Sequence, residues 1–457
     1  MADLTYNAVR RMSRRRFLST TALAGVGVAG GGALLAGCGG GSGGGPSGGG
    51  GEEGSGGLSG SMTWGSWANP GEAERFRAFT KQWGDKTGVQ AKYQVVTGDY
   101  LSKLLTQLAG GSAPDAFYAG DDQMSKLIQS NNVLALDDFL ASDKATVKFT
   151  DHYPGLTKWM QGEDGKTYGL PNDCNPIALW FNKNILNEAG VTTDPAAQQE
   201  AGTWTLDAFT DLLTKVKAAK GTFGNVLESG WWGFWMGWIT AQGGTMFDED
   251  GKAVFDTDPK AQATLDWMFE QLRNGNMQYG GSLPKGQGVD ALFYAGQLAT
   301  MSYGRWVLPN LKKVKAKVDY DLAPLPPADG KSIPTVPVGT SSIAVNAKSK
   351  NPDAALAFVS DYTNAEGQKF RLSGGGNALP TLPGLEDIAT EGNDPPHGGW
   401  FNDLAKAGWG TPKAIYSDPQ VATKLPLRVN ELLLDDSVKT LTAKSFSEQI
   451  VQLLNGS

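Results

Sequence analysis

Strands and helices alternate at the start of the body of this chain, and this order restricts its fold more than any other feature. Residues 62–67 read as a strand, and the pattern then predicts a helix from Pro70 to the glycine at position 88. A second strand over 89–96, a second helix and a third strand over 116–119 follow. A β-α-β-α-β order predicts a mostly parallel sheet covered by helices, whose ligands bind beyond the carboxyl ends of the strands.

The middle of the chain has a different pattern. Segments over 206–219, 260–273 and 288–297 carry apolar residues at helical spacing, whereas strands are predicted near 177–182, 300–303, 320–322 and 342–345. The part that can fold, about 59–457, is long for one core. It therefore predicts two lobes of the α/β class.

Composition excludes several functions. The chain has 40 basic and 47 acidic residues, and without residues 1–37 the balance is 35 against 46, a net charge of −11. An acidic surface argues against nucleic acid as a partner and against a polybasic membrane patch. After residue 60 the sequence shows no HExxH, CxxC pair, G-x-S-x-G or Walker loop, so we expect no metal, no cofactor and no enzymatic activity.

The N-terminus carries a targeting segment. Ser13-Arg14-Arg15-Arg16-Phe17-Leu18 precedes a short apolar stretch that ends in Leu35-Ala36-Gly37-Cys38. The arginine cluster resembles the twin-arginine signal of bacteria, and the last four residues resemble the lipobox of bacterial lipoproteins. We therefore expect residues 1–37 to be a signal peptide and Cys38 to be lipidated. Residues 38–60, nearly all Gly and Ser, are expected to form a flexible linker at the extracytoplasmic face of the cell membrane. Cys174 would then have no partner within the chain and is expected to be a small packed residue.

Nine or so short segments, in order, resemble the family 1 extracellular solute-binding proteins, the sugar-binding components of ABC importers. They include Gly111-Ser112-Ala113-Pro114-Asp115, Asp164-Gly165-Lys166-Thr167-Tyr168-Gly169-Leu170-Pro171, Phe293-Tyr294-Ala295-Gly296-Gln297, Tyr303-Gly304-Arg305-Trp306, Ala323-Pro324-Leu325-Pro326 and Asn377-Ala378-Leu379-Pro380.

This resemblance implies a two-lobed fold like that of type II periplasmic binding proteins, with hinge crossovers and a ligand cleft between the lobes. The crossovers are expected near Pro171–Ile177, Tyr303–Trp306 and Gly374–Asn377. Lobe 1 would combine 60–171 with 304–373, and lobe 2 would combine 172–303 with 374–457. The implied function is capture of a sugar by a monomer through hinge closure, and its delivery to a membrane permease.

Sugars need aromatic planes for their C–H faces and bidentate polar groups for their hydroxyls. Such residues at the predicted strand ends and crossovers are Trp67, Asp121, Asn172, Asp173, Tyr303, Arg305 and Trp306. The aromatic stretch over 231–238 holds too many tryptophans for one helix face to bury, so we add Trp231, Trp232 and Trp235. Gly375, within a run of three glycines, could bring backbone amides to the ligand.

Two other functions fit the sequence less well. A carbohydrate-active enzyme would need paired carboxylates across the cleft, for which Asp121 and Asp173 are the candidates. The same fold could instead bind a polyamine, a peptide or a polyol phosphate. A phosphate should need several basic groups, of which Arg305 is the one candidate, whereas a cation would need carboxylates beside aromatic rings.

Overall fold

The computed structural model describes residues 58–434 and 436–456. The predicted signal peptide, Cys38 and nearly all of the predicted linker lie outside these residues. Within them the strands are β1 Ser61–Ser66, β2 Gln90–Val95, β3 Ala116–Ala119, β4 Leu170–Pro176, β5 Ala178–Asn182, β6 Asn225–Leu227, β7 Met277–Tyr279, β8 Thr300–Tyr303, β9 Tyr320–Ala323 and β10 Val338–Val345.

Helices connect and cover these strands. They are α1 Pro70–Thr87, α2 Tyr100–Ala109, α3 Met124–Gln129, α4 Asp137–Leu140, α5 Lys183–Glu188, α6 Pro195–Ala201, α7 Leu206–Lys220, α8 Gly233–Ala241, α9 Pro259–Arg273, α10 Val289–Tyr294, α11 Leu308–Val314, α12 Pro352–Thr363, α13 Ala365–Leu372, α14 Trp400–Ala407, α15 Lys413–Tyr416, α16 Pro419–Leu433, α17 Ser437–Thr440 and α18 Ala443–Leu454. Among the described residues, none of the helices is both long enough and apolar enough to cross a bilayer.

The first sheet has the strand order β2-β1-β3-β10-β4. Strand β1 pairs in parallel with β2 and β3, as the β-α-β-α-β pattern predicted. Strand β10 returns from late in the chain and pairs antiparallel with both β3 and β4. The parallel strands direct their carboxyl ends to one edge of the sheet, where a ligand site is expected.

Helix α1 shows why the local sequence folds as predicted. The side chain of Asn69 caps the helix by accepting from the amides of Gly71 and Glu72, and the Glu72 carboxylate accepts from the Asn69 amide in return. Gly88 ends the helix with a φ of 78°, which favours glycine. The predicted apolar face, Phe76, Phe79 and Trp83, is buried. This capping box fixes Glu72 in the first turn of the helix.

The second sheet has the order β7-β6-β8-β5-β9. Strand β6 is parallel to β7 and β8, while β5 lies antiparallel between β8 and β9. The chain therefore changes sheet between β4 and β5, and again between β9 and β10. Both positions lie later than the expected lobe boundaries at 171 and 303. Strand β9 pairs with β5, more than 130 residues earlier, and such long-range pairing leaves no local signal in the sequence.

Each sheet has its own hydrophobic core. Trp64, Phe76, Tyr118, Phe358 and Tyr362 lie at the centre of the first. The second includes Trp180, Trp204, Phe209, Trp238 and Phe269. Two separately packed sheets can move relative to each other without losing either core, which is the physical requirement for a hinged molecule.

Candidate functional site

The candidate site is a cavity of about 450 Å³ between the two sheets, here called the central cavity. Strand ends of both sheets meet there: Trp67 follows β1, Asp121 follows β3, Trp231 follows β6 and Trp306 follows β8. The cavity lies beyond the carboxyl ends of parallel strands, where open α/β sheets bind ligands. Its volume is within the range of small-molecule sites.

Aromatic rings that follow strands of both sheets line the central cavity. Trp67 packs edge-on against Tyr100 and Tyr118, with ring centroids 4.9 and 5.4 Å apart. From the second sheet, Trp231 and Trp306 both pack against Phe234, at 5.3 and 6.4 Å. All three indoles are half-buried, so part of each ring is left for a ligand.

Gly304 allows one of these rings to reach its place. A Cβ atom built at this position would lie 2.2 Å from the Trp306 ring and 2.7 Å from the Cβ of Asn175. Any other residue at position 304 would collide with Trp306 and Asn175, so glycine is required for both side chains to pack against this part of the backbone.

Polar side chains form the floor of the central cavity, where the chain passes between the sheets. Asp173 and Asn175 alternate along β4 and face the cavity. Ser341 Oγ, on β10, donates to Asp173 Oδ1 at 3.0 Å. The Asn377 amide donates to Glu72 Oε1 at 3.1 Å and to Asp173 Oδ2 at 3.5 Å. One amide thus joins two carboxyl groups from different parts of the chain.

Burial changes the ionisation of these carboxyl groups. Burial, with a smaller contribution from the negative charge of Asp173 and against the hydrogen bond from the Asn69 amide, raises the pKa of Glu72 from 4.5 to about 8. Burial, together with the charge of Asp121, raises the pKa of Asp122 to about 7. The pKa values of Asp121 and Asp173 are also raised, chiefly by burial. Burial therefore disfavours the charged form of all four carboxyl groups, and a positive charge placed beside them would favour it.

Glu72→Gln is expected to flatten the dependence of stability on pH. A carboxyl group with a raised pKa binds a proton in the folded state that the unfolded chain releases, so its contribution to stability falls as pH rises from about 4.5 to about 8. The amide of glutamine does not titrate and keeps the side-chain shape. Urea unfolding between pH 5 and 8 should show a smaller loss of unfolding free energy in the variant. Equal losses in Glu72→Gln and in the control Glu74→Gln, an exposed neighbour, would contradict this prediction.

Asp121 links the first sheet to residues that come after strands of the second sheet. Its Oδ2 accepts from Trp232 Nε1 at 3.3 Å and from Thr411 Oγ1 at 2.5 Å. Trp232 precedes α8, and Thr411 lies between α14 and α15. Asp121 lines the central cavity. Its two hydrogen bonds also join the end of β3 to Trp232 and to Thr411.

Five of the eleven residues predicted from the sequence line the central cavity: Trp67, Asp121, Asp173, Trp231 and Trp306. Three of the others point elsewhere. Trp232 packs on Trp409 with its N–H directed at Asp121, and Trp235 is buried against Phe255 and Phe446. Asn172 is buried behind the floor and donates to Asp173 and Ser341. These three predictions are corrected to supporting and core roles.

The remaining three are also part of the framework. Tyr303 is 7% exposed and donates its hydroxyl hydrogen to Glu228. Gly375 has a φ of 82° and lies beside the side chain of Lys312, away from the cavity lining. Arg305 is fully buried and donates to the carbonyl oxygens of Gly376, Ala378 and Ile388. Since two of these carbonyls flank Asn377, Arg305 positions that amide rather than facing a ligand.

Several lining residues were not predicted from the sequence. They are Glu72, Tyr100, Tyr118, Asp122, Gln123, Asn175, Phe234, Thr340, Ser341 and Asn377. Asp122 comes directly after Asp121 at the carboxyl end of β3, so the position of ligand sites beyond strand ends could have predicted it as well. Asn377 lies in one of the segments that carry the family resemblance, whereas Glu72 reads in the sequence only as a helix cap.

A second cavity, of about 460 Å³, lies behind β4. Cys174 faces it, because strand side chains alternate and its neighbours Asp173 and Asn175 face the central cavity. Leu156, Val338, Leu379 and Pro380 give this cavity a mainly aliphatic wall. Cys174 is 3% exposed, and burial raises the pKa of its thiol. Tyr153, Glu386, Asn402, Lys406 and Trp409 also line this cavity, but the cavity at the carboxyl ends of the parallel strands is the central one.

Comparison with known proteins places this arrangement in a family. The sequence model of the family described as "Bacterial extracellular solute-binding protein" matches residues 68–369. A protein of Brucella abortus named as a binding protein is 24% identical over 280 residues, covering 59% of this chain and 64% of its own length. The maltooligosaccharide ABC transporter solute-binding lipoprotein of Streptococcus pneumoniae is 24% identical over 337 residues, or 70% of this chain and 71% of that protein.

The fold agrees with this match. An ABC substrate-binding protein from Listeria monocytogenes, solved in complex with cycloalternan, superposes with a TM-score of 0.72 at 19% identity, over 87% of this chain and 98% of that one. The predicted α/β fold of two lobes is thereby confirmed. With its two sheets, its cavity at their strand ends and the match over 68–369, the chain belongs to the family of bacterial extracellular solute-binding proteins.

Proposed function

We propose that this chain is the extracytoplasmic binding component of an ABC importer, which captures a sugar or oligosaccharide and delivers it unaltered to a membrane permease. The observation that carries this proposal is the central cavity, which Trp67, Trp231 and Trp306 line together with carboxyl and amide groups. Flat rings and bidentate polar groups are what a polyol needs. The named function of the Streptococcus relative supports the same conclusion.

Calorimetric titration with malto-, arabino- and galacto-oligosaccharides tests this function. Saturable binding of at least one saccharide is expected, followed by recovery of the intact sugar by chromatography after long incubation. Shortened products would favour the carbohydrate-active enzyme instead. The absence of binding across the panel, with a folded protein, would contradict a sugar-binding role.

Capture is proposed to use hinge closure of a lobe around the first sheet onto a lobe around the second sheet, with the boundaries at the changes of sheet after β4 and after β9 instead of at 171 and 303. The two bonds of Asp121 to Trp232 and Thr411 stabilise the closed form, because each joins groups from opposite sides of the cavity. A ligand that contacts both sides would shift the population toward the same form.

Thr411→Val is expected to weaken saccharide binding by about fivefold, since the closed form loses one hydrogen bond worth about 1 kcal/mol. Thr411 does not line the central cavity, so the loss would come from closure and not from a ligand contact. Titration calorimetry of the variant measures the change, and Thr423→Val, an exposed threonine on α16, serves as the control. Unchanged affinity in Thr411→Val would contradict the role of this bond.

Anchoring at the membrane is proposed to depend on Cys38. Cys38→Ala should move the protein from the membrane fraction to the medium or periplasm, because the lipid would have no attachment point. Fractionation of the producing bacterium, with Cys174→Ala as the matched cysteine control, tests this. Export through the twin-arginine route would be lost when Arg14 and Arg15 are both replaced by lysine. Retention of Cys38→Ala in the membrane would contradict the lipid anchor.

A further inference from the structure

In the described part of the chain, the wall of the central cavity contains several carboxyl groups and no basic side chain to pair with them. Four carboxyl groups line it, those of Glu72, Asp121, Asp122 and Asp173. Among the described residues that line the cavity there is no lysine, arginine or histidine. A neutral polyol requires hydrogen-bond acceptors, but it does not require four carboxyl groups in a lining without a basic side chain.

A buried cation, Arg371, acts on one of these carboxyl groups from outside the cavity lining. The charge of Arg371 lowers the pKa of Asp173 and partly offsets its burial. However, the Arg371 guanidinium is fully buried, lies 3.7 Å from the centroid of the Tyr362 ring and donates to the carbonyl oxygens of Tyr362 and Asn172. It is thus held behind the floor of the cavity. A second carboxylate, Asp290, acts on Glu72 in the same direction as Asp173 and raises its pKa.

Two buried polar atoms in the same wall have no partner. Asn377 Oδ1 and Thr340 Oγ1 make no hydrogen bond within the described residues, although these side chains are only 3% and 9% exposed. The Asn377 amide nitrogen is already directed at Glu72 and Asp173, so its free atom is an acceptor. Buried polar atoms without partners are costly, which marks this part of the wall as built to receive hydrogen-bond donors from a ligand.

The ligand group that fits these observations is an ammonium. It brings three donors and no acceptor, together with the positive charge that the wall lacks. The indole faces of Trp67, Trp231 and Trp306 add a favourable surface for a cation as well as for the C–H face of a sugar ring.

Resting on the saccharide-binding function argued above, we propose that the preferred ligand is a saccharide with a protonated amino group, bound with its ammonium among Glu72, Asp173, Asn377 and Thr340. A linear polyamine would satisfy the carboxylates but has no flat ring to cover three indoles. A neutral saccharide of the same shape would not bring the positive charge that favours ionisation of these buried carboxyl groups.

Titration calorimetry with matched disaccharides tests this inference. Each disaccharide is supplied in three forms that share one linkage: the 2-hydroxyl form, the 2-amino form and the 2-acetamido form. Glucose and galactose series are both used, at pH 6.5, with spermidine as a polyamine probe. The amino form of the preferred series should bind about tenfold tighter or more than the hydroxyl form, and acetylation should remove this advantage.

Variants show whether the acidic wall causes the preference. Glu72→Gln and Asp173→Asn should each reduce the ratio between amino and hydroxyl affinities to below about threefold. Asp250→Asn, which changes an exposed loop carboxylate, should leave the ratio unchanged. The ratio compares two ligands on the same protein, so it is insensitive to a partial loss of folded material.

The outcomes separate this inference from the proposed function. If the hydroxyl form binds as tightly as the amino form, the inference is overturned and the sugar-binding function stands. If spermidine binds and no saccharide does, both are overturned. If no probe binds to the folded protein, the proposed function fails and the inference fails with it.

Discussion

Replacing Trp231 and Trp306 together with alanine is expected to weaken saccharide binding by about 100-fold or more. Each indole offers a half-buried face to the central cavity, and covering such a face contributes about 1.5–3 kcal/mol. Two such losses add up to at least two factors of ten in the dissociation constant, at about 1.4 kcal/mol for each factor. Titration calorimetry with the tightest saccharide of the panel measures the change. The single variants show whether the two losses are additive.

A matched control separates the lost contacts from a general loss of packing. Trp400 is also half-buried, but its ring stacks on His397 at 4.6 Å and lies outside the central cavity. Trp400→Ala should therefore bind saccharide as the unmodified protein does. Thermal unfolding of each variant confirms that the fold persists at the titration temperature. A loss below about fivefold in the double variant would show that the indoles are not the ligand platform.

Arg305→Met is expected to lower the free energy of unfolding by about 3 kcal/mol or more. Methionine fills similar space but donates no hydrogen bond, so the carbonyl oxygens of Gly376, Ala378 and Ile388 lose their donors in a buried region. A buried polar group left unpaired costs about 1–3 kcal/mol. Urea unfolding measures the change, and Arg305→Lys should recover part of it because the ammonium can still reach one or two carbonyls.

The same substitution distinguishes a supporting role from a ligand contact. If Arg305 acts through Asn377, both Arg305→Met and Asn377→Ala should weaken saccharide binding, and combining them should add little to the larger single effect. A stability loss below about 1 kcal/mol would contradict the framework role of Arg305. Fully additive losses in binding would indicate that it contacts the ligand independently.

Part of this site could be predicted because ligands bind beyond the carboxyl ends of parallel strands. The order of those strands can be inferred from the pattern of the sequence. Trp67 and Asp121 follow strands whose parallel order could be read from the β-α-β-α-β pattern, and both line the cavity. Trp231 could be placed because one helix face cannot bury four tryptophans. The structure adds that α8 starts only at Gly233, which leaves Trp231 before the helix and free to face the cavity.

The direction of a side chain could not be predicted in the same way. Arg305 and Trp306 are neighbours in one segment, yet the guanidinium is buried against the carbonyl oxygens on either side of Asn377 while the indole lines the cavity. Which of two adjacent residues turns inward depends on partners such as the carbonyl of Ile388, more than 80 residues away. Glu72 was missed for a similar reason, because its contact with Asn377 joins positions 305 residues apart.

The account depends most on movement of the two sheets about the crossing segments when a saccharide is bound. Small-angle X-ray scattering of the purified protein, recorded across a titration with a saccharide whose binding is verified by calorimetry, measures this directly. The radius of gyration should fall with the same midpoint as the calorimetric curve, and by less in Thr411→Val at equal total ligand. A radius that stays constant to full saturation would show that the ligand binds without closure, and would contradict the hinged capture proposed here.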